Sequence, residues 1–185
     1  AVADDPWYRS DAGAWEGTTP GRALTPDQLA SSVEALTGYR WGVAGGIDAM
    51  VNDDYGYRVL DGGIDGILVT EAPTTETATV ALVEERLAEA AGSYAVQTEM
   101  DLAPEERILL RETADLIAVP ADADLRIQLV HLVRRVWSRS IEADSAEADT
   151  LVALWSEIHA GVGTVPQTWA FFLSALFRHP DFVHV

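Results

Sequence analysis

Apolar residues recur every three or four positions along most of the chain, which is the spacing of one face of an α-helix. The first stripe follows Thr25 and Pro26, a pair typical of a helix start, and Gly38 stands after it as a helix stop. The pattern therefore predicts a helix over residues 26–37. Its apolar positions are Leu29, Val33 and Leu36.

Five further segments show the same period. The predicted helices span about 75–98, about 104–117, 122–139, a segment through Leu151 and Ile158, and about 166–178. Pro73 and Thr74 precede the first of these, and Asp144 with Glu147 resembles a capping box before the fourth. The first has the apolar stripe Val80, Val83, Leu87, Ala90, Ala91 and Tyr94.

Six helices with short connections predict an all-α fold, an irregular helical bundle. The last helix is apolar nearly all round, so it is either central to the core or covered by a partner. Residues 1–23 show no period and are predicted to form an extended arm, and residues 24–185 a single helical domain. An acidic, glycine-rich insert at 39–73 interrupts that domain, with a short helix possible near 47–51.

The insert is the first candidate site, because the tetrapeptide Gly-Gly-Ile-Asp occurs in it twice, at 45–48 and 62–65. Carboxylates and turned backbone carbonyls are ligands that Ca²⁺ prefers. The spacing is not that of an EF-hand, and the same aspartates could form ordinary turns or an acid–base pair. The candidate cation ligands are Asp48, Asp53, Asp54, Asp61 and Asp65.

Charge and composition exclude several function classes. The chain has 30 acidic residues against 12 basic ones, all arginine, and its net charge of −18 argues against binding to nucleic acid or anionic lipid. The sequence contains no run of eighteen apolar residues, so it predicts no membrane span. Because there is no cysteine, disulfides, thiolate metal sites and covalent c-type haem are excluded within this chain.

The second candidate site is the segment 122–139, which is rich in arginine. A guanidinium binds carboxylates through a planar fork, so these side chains could contact an anion or a protein partner, or pair with neighbouring acids. An enzyme built from insert carboxylates with Arg134 or Arg135 is a further alternative. The four histidines show no metal-binding spacing. The candidate contacts are Arg126, Arg134, Arg135 and Arg139.

Three phrases carry a resemblance: Leu-Thr-Pro-Asp-Gln-Leu-Ala at 24–30, Tyr-Arg-Val-Leu-Asp-Gly-Gly-Ile-Asp-Gly at 57–66, and Ala-Leu-Phe-Arg-His-Pro-Asp-Phe at 175–182. Over 24–66 and 165–183 the chain resembles helical modules of large, multi-domain exported proteins of planctomycetes and myxobacteria. Most of those families have no known function, and some carry a c-type haem domain elsewhere. The resemblance implies an extracytoplasmic accessory module and supplies no catalytic residues.

The leading hypothesis is a non-catalytic interaction module of an exported bacterial protein, associated with a haem protein or another neighbouring domain. The helical pattern, the aromatic last helix and the lack of catalytic motifs favour it. A cation-binding module and a carboxylate-based enzyme stay as alternatives. The sequence does not predict an oligomeric state.

Overall fold

A computed structural model of the chain describes residues 23–42, 60–63 and 77–184, and within these residues the fold is all-α, with no strand. The predicted fold class is therefore confirmed. The α-helices are α1 (Pro26–Thr37), α2 (Ala78–Met100), α3 (Asp122–Val136), α4 (Ala146–Val162), α5 (Val165–Phe177) and α6 (Pro180–Val183), with a 3₁₀ turn at Pro104–Glu106.

Helix α1 forms where its sequence predicts it. The Thr25 hydroxyl accepts the N–H of Gln28, whose side chain accepts the N–H of Thr25 in return, which is a complete capping box. Gly38 ends the helix with φ of 73°, a left-handed conformation that an L-residue with a Cβ adopts at a cost.

Helix α2 differs from its prediction in its start and in part of its buried face. Thr77 is the N-cap, and its hydroxyl accepts the N–H of Val80; Pro73 and Thr74 lie outside the described residues. Tyr94, predicted in the apolar stripe, is 41% exposed and packs its ring against Tyr39 at the edge of the core. The buried face is formed mainly by small residues and includes Ala88, Ala91, Gly92 and Ala95.

Helix α5 is central to the core, as one of the two interpretations of its sequence predicts. It packs most extensively against α2 and also contacts α4 and α6. Trp169, Phe172 and Leu173 are fully buried, whereas Phe171 on the opposite side is half exposed. The small residues of α2 allow this approach, since a Cβ on Gly92 would lie 2.5 Å from the carbonyl oxygen of Ala170.

Two predicted boundaries around α3 and α4 are wrong. Helix α3 ends at Val136 rather than near 139, because Ser138 has φ of 53° and breaks the helical geometry. Helix α4 is capped by Ser145, whose hydroxyl accepts the N–H of Ala148. The Asp144–Glu147 capping box does not form, and the Glu147 carboxylate pairs with Arg139 instead.

The predicted helix at 104–117 is also wrong. Only the 3₁₀ turn at Pro104–Glu106 forms, and Arg107 then has extended backbone angles. The chain runs without regular structure to Ala121, the N-cap of α3. Buried polar side chains take the backbone hydrogen bonds that a helix would use.

The two ends of the described chain meet beside α6, a short helix that the sequence pattern does not predict. The N–H of Leu24 donates to the carbonyl oxygen of Val183 over 2.8 Å, and Ala23 forms an antiparallel bridge with His184. Most of the predicted arm and of the insert, including 47–51, lies outside the described residues.

We expect Gly92→Ala to lower the free energy of unfolding by about 1–3 kcal/mol, because the new methyl group would collide with the backbone of α5. Gly161→Ala is the matched control: Gly161 lies in α4, and a Cβ there meets nothing within 4 Å. That variant should gain about 0.5–1 kcal/mol from helix propensity. Urea unfolding measures both, and equal effects would contradict the close α2–α5 contact.

Candidate functional site

The segment between α2 and α3, residues 101–121, is held by three buried polar side chains and is called the clamped loop here. Glu99, in the last turn of α2, is 5% exposed. Its Oε1 accepts the N–H groups of Ile108 and Leu109 at 2.9 and 2.8 Å, and its Oε2 accepts that of Leu110 at 2.7 Å. One carboxylate therefore fixes three consecutive residues.

Arg107 holds the same loop from within. Its Nε donates to the carbonyl oxygens of Glu99 and Leu102, each at 3.0 Å, and its Nη1 donates to that of Thr113 at 2.6 Å. The guanidinium is buried, so these bonds replace its hydration. They also connect Arg107 to the last turn of α2, through the carbonyl of Glu99, and to Leu102 just after the helix.

Gln128 ties the loop to α3 and has no exposed surface. Its Oε1 accepts the N–H of Glu112 at 2.8 Å and the hydroxyl of Thr113 at 3.3 Å. Its Nε2 donates to the carbonyl oxygen of Leu109 at 2.7 Å. The clamp thus joins α2, the loop and α3.

The loop runs along α3 in the opposite direction to the helix. His131 Nε2 lies 3.0 Å from the carbonyl oxygen of Ile108. Because a carbonyl only accepts, the geometry assigns the proton to Nε2. Glu112 contacts Gln128, one turn before His131. Further on, the Asp115 carboxylate accepts the N–H of Ile117 at 2.7 Å.

The clamp leaves four branched apolar side chains in solvent. Leu109, Leu110 and Leu116 of the clamped loop are buried in the core, whereas other apolar side chains of the loop are exposed. The carbonyl of Ile108 in the loop contacts His131, and Ile127 lies one turn before His131 on α3. We call the four side chains the loop surface: Ile108, Ile117, Val119 and Ile127, which are 40%, 69%, 61% and 51% exposed.

Two of the four predicted arginine contacts are engaged within the fold. Arg126 binds Asp122 at 2.9 Å, Asp149 at 2.8 Å and the carbonyl oxygen of Ala143 at 3.0 Å. The hydrogen bonds to the two carboxylates raise the pKa of Arg126 above its ordinary value. These contacts join α3 to α4.

Arg139 is the second engaged arginine. Its guanidinium binds the carboxylates of Glu147 and Asp181, the latter at 3.1 Å, and lies 5.4 Å from the centre of the Trp137 ring. It therefore connects the end of α3 to α4 and α6. The interpretation that these residues pair with neighbouring acids holds for Arg126 and Arg139.

The other two predicted contacts, Arg134 and Arg135, are exposed and have no ion-pair partner among the described residues. Arg111 in the clamped loop shares both properties. Arg134 and Arg135 therefore stay candidates for contact with a partner, and the structure adds Arg111 to them.

One of the five predicted cation ligands, Asp61, lies in the described residues, while Asp48, Asp53, Asp54 and Asp65 lie outside them. Asp61 is 6% exposed, and among the described residues its Oδ1 has no hydrogen-bond partner. Burial, with a smaller contribution from the Glu84 carboxylate, raises the pKa of Asp61 to about 8. At neutral pH this carboxyl group is therefore mostly protonated.

The histidines serve local contacts. Burial lowers the pKa of His179, whose Nδ1 accepts the N–H of Asp181. Across the described ranges, no three histidine or carboxylate side chains form a group that could hold a metal ion. The remaining contacts are His131 with Ile108, His159 with Thr168, and His184 with Pro180.

The chain matches no protein-family model, no curated protein and no solved structure. In the part that the structure describes, no helix combines the length and the apolar character that a membrane span requires.

Sequence reasoning missed the clamp, although a signal for it exists. Leu87, Ala91 and Ala95 repeat every four residues on the buried face of α2, and Glu99 continues that spacing with a charge. Gln128 likewise lies within the apolar stripe of α3, beside Leu129. A polar residue at a core position needs buried partners, and the nearest backbone without helical bonds is the clamped loop.

We expect Glu99→Gln to lower the free energy of unfolding by about 2–4 kcal/mol, because a neutral amide has one acceptor oxygen for three N–H groups. Amide hydrogen exchange at residues 108–110 should accelerate more than elsewhere. Glu105→Gln, an exposed change in the adjacent 3₁₀ turn, is the control and should do neither. Unchanged exchange at residues 108–110 in the Glu99 variant would contradict the clamp.

Proposed function

We propose that this chain is a non-catalytic protein-interaction module that binds its partner through the loop surface. The observation that carries the proposal is the clamp. Glu99, Arg107 and Gln128 are buried to hold an irregular segment whose isoleucine and valine side chains face solvent.

The energetics of the clamp support a binding role. Burying an ionised group costs several kcal/mol unless its hydrogen bonds are replaced, and a helix over 104–117 would need no such groups. Structureless loops longer than about 12–15 residues are uncommon in compact domains and are usually functional or disordered. This loop is fixed by buried hydrogen bonds, which favours function.

The exposed side chains also suit an interface. Isoleucine and valine are stiff at χ1, so they lose little conformational freedom when a partner covers them. A loop that is already held in one conformation avoids the ordering cost that weakens binding by flexible segments. The loop surface therefore offers apolar area at a low entropic cost.

The resemblance over 24–66 and 165–183 extends the proposal. It supports an accessory module of an exported bacterial protein, located outside the cytoplasm. Some of the similar proteins carry a c-type haem domain, so a haem-bearing neighbour is one partner that the proposal includes.

Cation binding is the second candidate function. It is favoured by the buried Oδ1 of Asp61, which has no hydrogen-bond partner in the described part of the chain. A buried carboxyl oxygen without a donor is stabilised by a bound cation or by a proton. Because burial raises the pKa of Asp61 to about 8, a proton occupies the carboxyl group at neutral pH. Above pH 8 a cation such as Ca²⁺ would compete with that proton.

For the interaction module, we expect Ile117→Asp combined with Val119→Asp to weaken peptide binding without unfolding the chain, since both side chains are exposed. A random-peptide display library is selected on the wild-type protein, and the enriched peptides are then measured by fluorescence anisotropy. Their affinity should fall tenfold or more, the effect of losing about 1.4 kcal/mol or more at an interface.

Leu82→Asp is the matched control, because Leu82 is 51% exposed on α2, away from the clamped loop. Circular dichroism checks that every variant folds. Failure of the library to yield binders, or binders that are lost with the Leu82 change and kept with the loop change, would overturn the proposed function.

For the cation candidate, the variant Asp61→Asn tests whether a proton or a metal ion stabilises the buried carboxyl group of Asp61. The pKa of Asp61 is raised from 3.8 to about 8 in the folded state, so between these values the unfolded chain releases a proton that the folded chain keeps. Wild-type stability should therefore fall as pH rises from 3.8 to 8, and Asp61→Asn should remove this loss, on the order of a few kcal/mol.

Asp101→Asn, an exposed change, should keep the wild-type pH dependence. At pH 8, cation binding predicts that Ca²⁺ raises the Tm of the wild type and not that of Asp61→Asn. A wild-type Tm that does not respond to Ca²⁺ in differential scanning fluorimetry would exclude Ca²⁺ binding at Asp61.

A further inference from the structure

Most arginines in the described ranges have a partner within the fold, and three do not. Arg111, Arg134 and Arg135 are exposed and form no ion pair with any described residue. All three lie on α3 or in the clamped loop. The partnered arginines are Arg40, Arg86, Arg107, Arg126, Arg139 and Arg178.

The lack of partners is unexpected in so acidic a chain. With 30 acidic residues against 12 arginines, a guanidinium on an average part of this surface finds a carboxylate easily. Arg134 and Arg135 gain from the negative end of the α3 dipole, a contribution of about 0.3–1 kcal/mol. The helix dipole does not account for Arg111, because Arg111 lies outside the helices.

Helical geometry places the arginines beside the loop surface. Ile127, His131 and Arg134 are spaced by four and three residues, so they lie on one face of α3, and Arg135 adjoins that face. Because the carbonyl oxygen of Ile108 contacts His131, residues 108–112 lie alongside the same helix, and these include Arg111. Glu112 also lies at this face, with its carboxylate 3.9 Å from His131 Nδ1.

From this placement we infer that the partner of the loop surface is an acidic segment of another protein. Its carboxylates bind Arg111, Arg134 and Arg135, and its apolar side chains cover Ile108 and Ile127. The inference rests on the proposed function and names the chemistry of the partner at that same surface. Charge complementarity favours an acidic partner, since Arg111, Arg134 and Arg135 are the arginines without an ion pair on the described surface.

A short acidic segment fits better than a nucleic acid. Charges interact over a Debye length of about 8 Å at physiological ionic strength, so a short segment experiences mainly the local arginines. A polyanion extends past them onto a surface that belongs to a chain of net charge −18. The planar guanidinium fork also binds a carboxylate through two parallel hydrogen bonds.

The helix sets the spacing of the motif. Ile127 and Arg134 are seven residues apart on α3, a rise of about 10 Å. An extended peptide covers about 3.3 Å per residue. The partner should therefore carry an aspartate or glutamate about three positions from a branched apolar residue.

The test uses the peptides enriched on the wild-type protein in the display selection. They should contain that acidic–apolar spacing, and their affinity should fall as salt increases. Arg134→Gln combined with Arg135→Gln should weaken binding about tenfold or more, while Arg40→Gln combined with Arg86→Gln should change it less than twofold. Both double variants remove two positive charges from exposed residues, so the net charge is matched.

The outcomes separate the inference from the proposed function. Enriched peptides that are basic or neutral, or that lose affinity equally in both arginine variants, would overturn the acidic partner. If such peptides still depend on Ile117 and Val119, the interaction module stands and only its partner chemistry is wrong. Peptides that depend on neither the loop surface nor the arginines overturn both.

Discussion

The carboxylate of Glu99 determines the path of the chain between α2 and α3. It accepts three consecutive backbone N–H groups, and no other described side chain holds so many. Each hydrogen bond to a charged group contributes about 1.5–3 kcal/mol, which offsets the cost of burying the charge. Without these bonds the N–H groups of residues 108–110 would be available to a helix, and Leu109 and Leu110 would leave their core positions.

The rest of the clamp follows from that interaction. While Glu99 holds the N–H groups of residues 108–110, the carbonyl oxygen of Leu109 accepts the side-chain amide of Gln128 on α3. Arg107 occupies the space between the end of α2 and the turn at Thr113. A partly satisfied buried network is costlier than an apolar core, so the three side chains depend on one another. The exposed isoleucines are a product of the same geometry.

Much of the fold could be predicted from local signals, because α1, α3, α4 and α5 have an apolar period, and caps or glycines define several of their ends. The clamped loop could not, since its sequence alone has a proline, two acids in a first turn and spaced leucines, all typical of a helix. The decisive bonds come from Glu99 and Gln128, outside the segment. The candidate arginines at 126, 134, 135 and 139 were found from composition. The pair between Arg126 and Asp122 is local to α3, with a spacing of four residues, but pairing with Asp149, Glu147 and Asp181 depends on tertiary structure.

Glu99 belongs to the final turn of α2 while the groups that it holds belong to the loop, so neither can open without the other. Ends of helices normally fray on their own, but here fraying would release the backbone of three loop residues at once. A molecule resting on Ile117 and Val119 would therefore also slow solvent exchange at the end of α2. The small residues of that same helix pack directly on α5, which contains the fully buried Trp169.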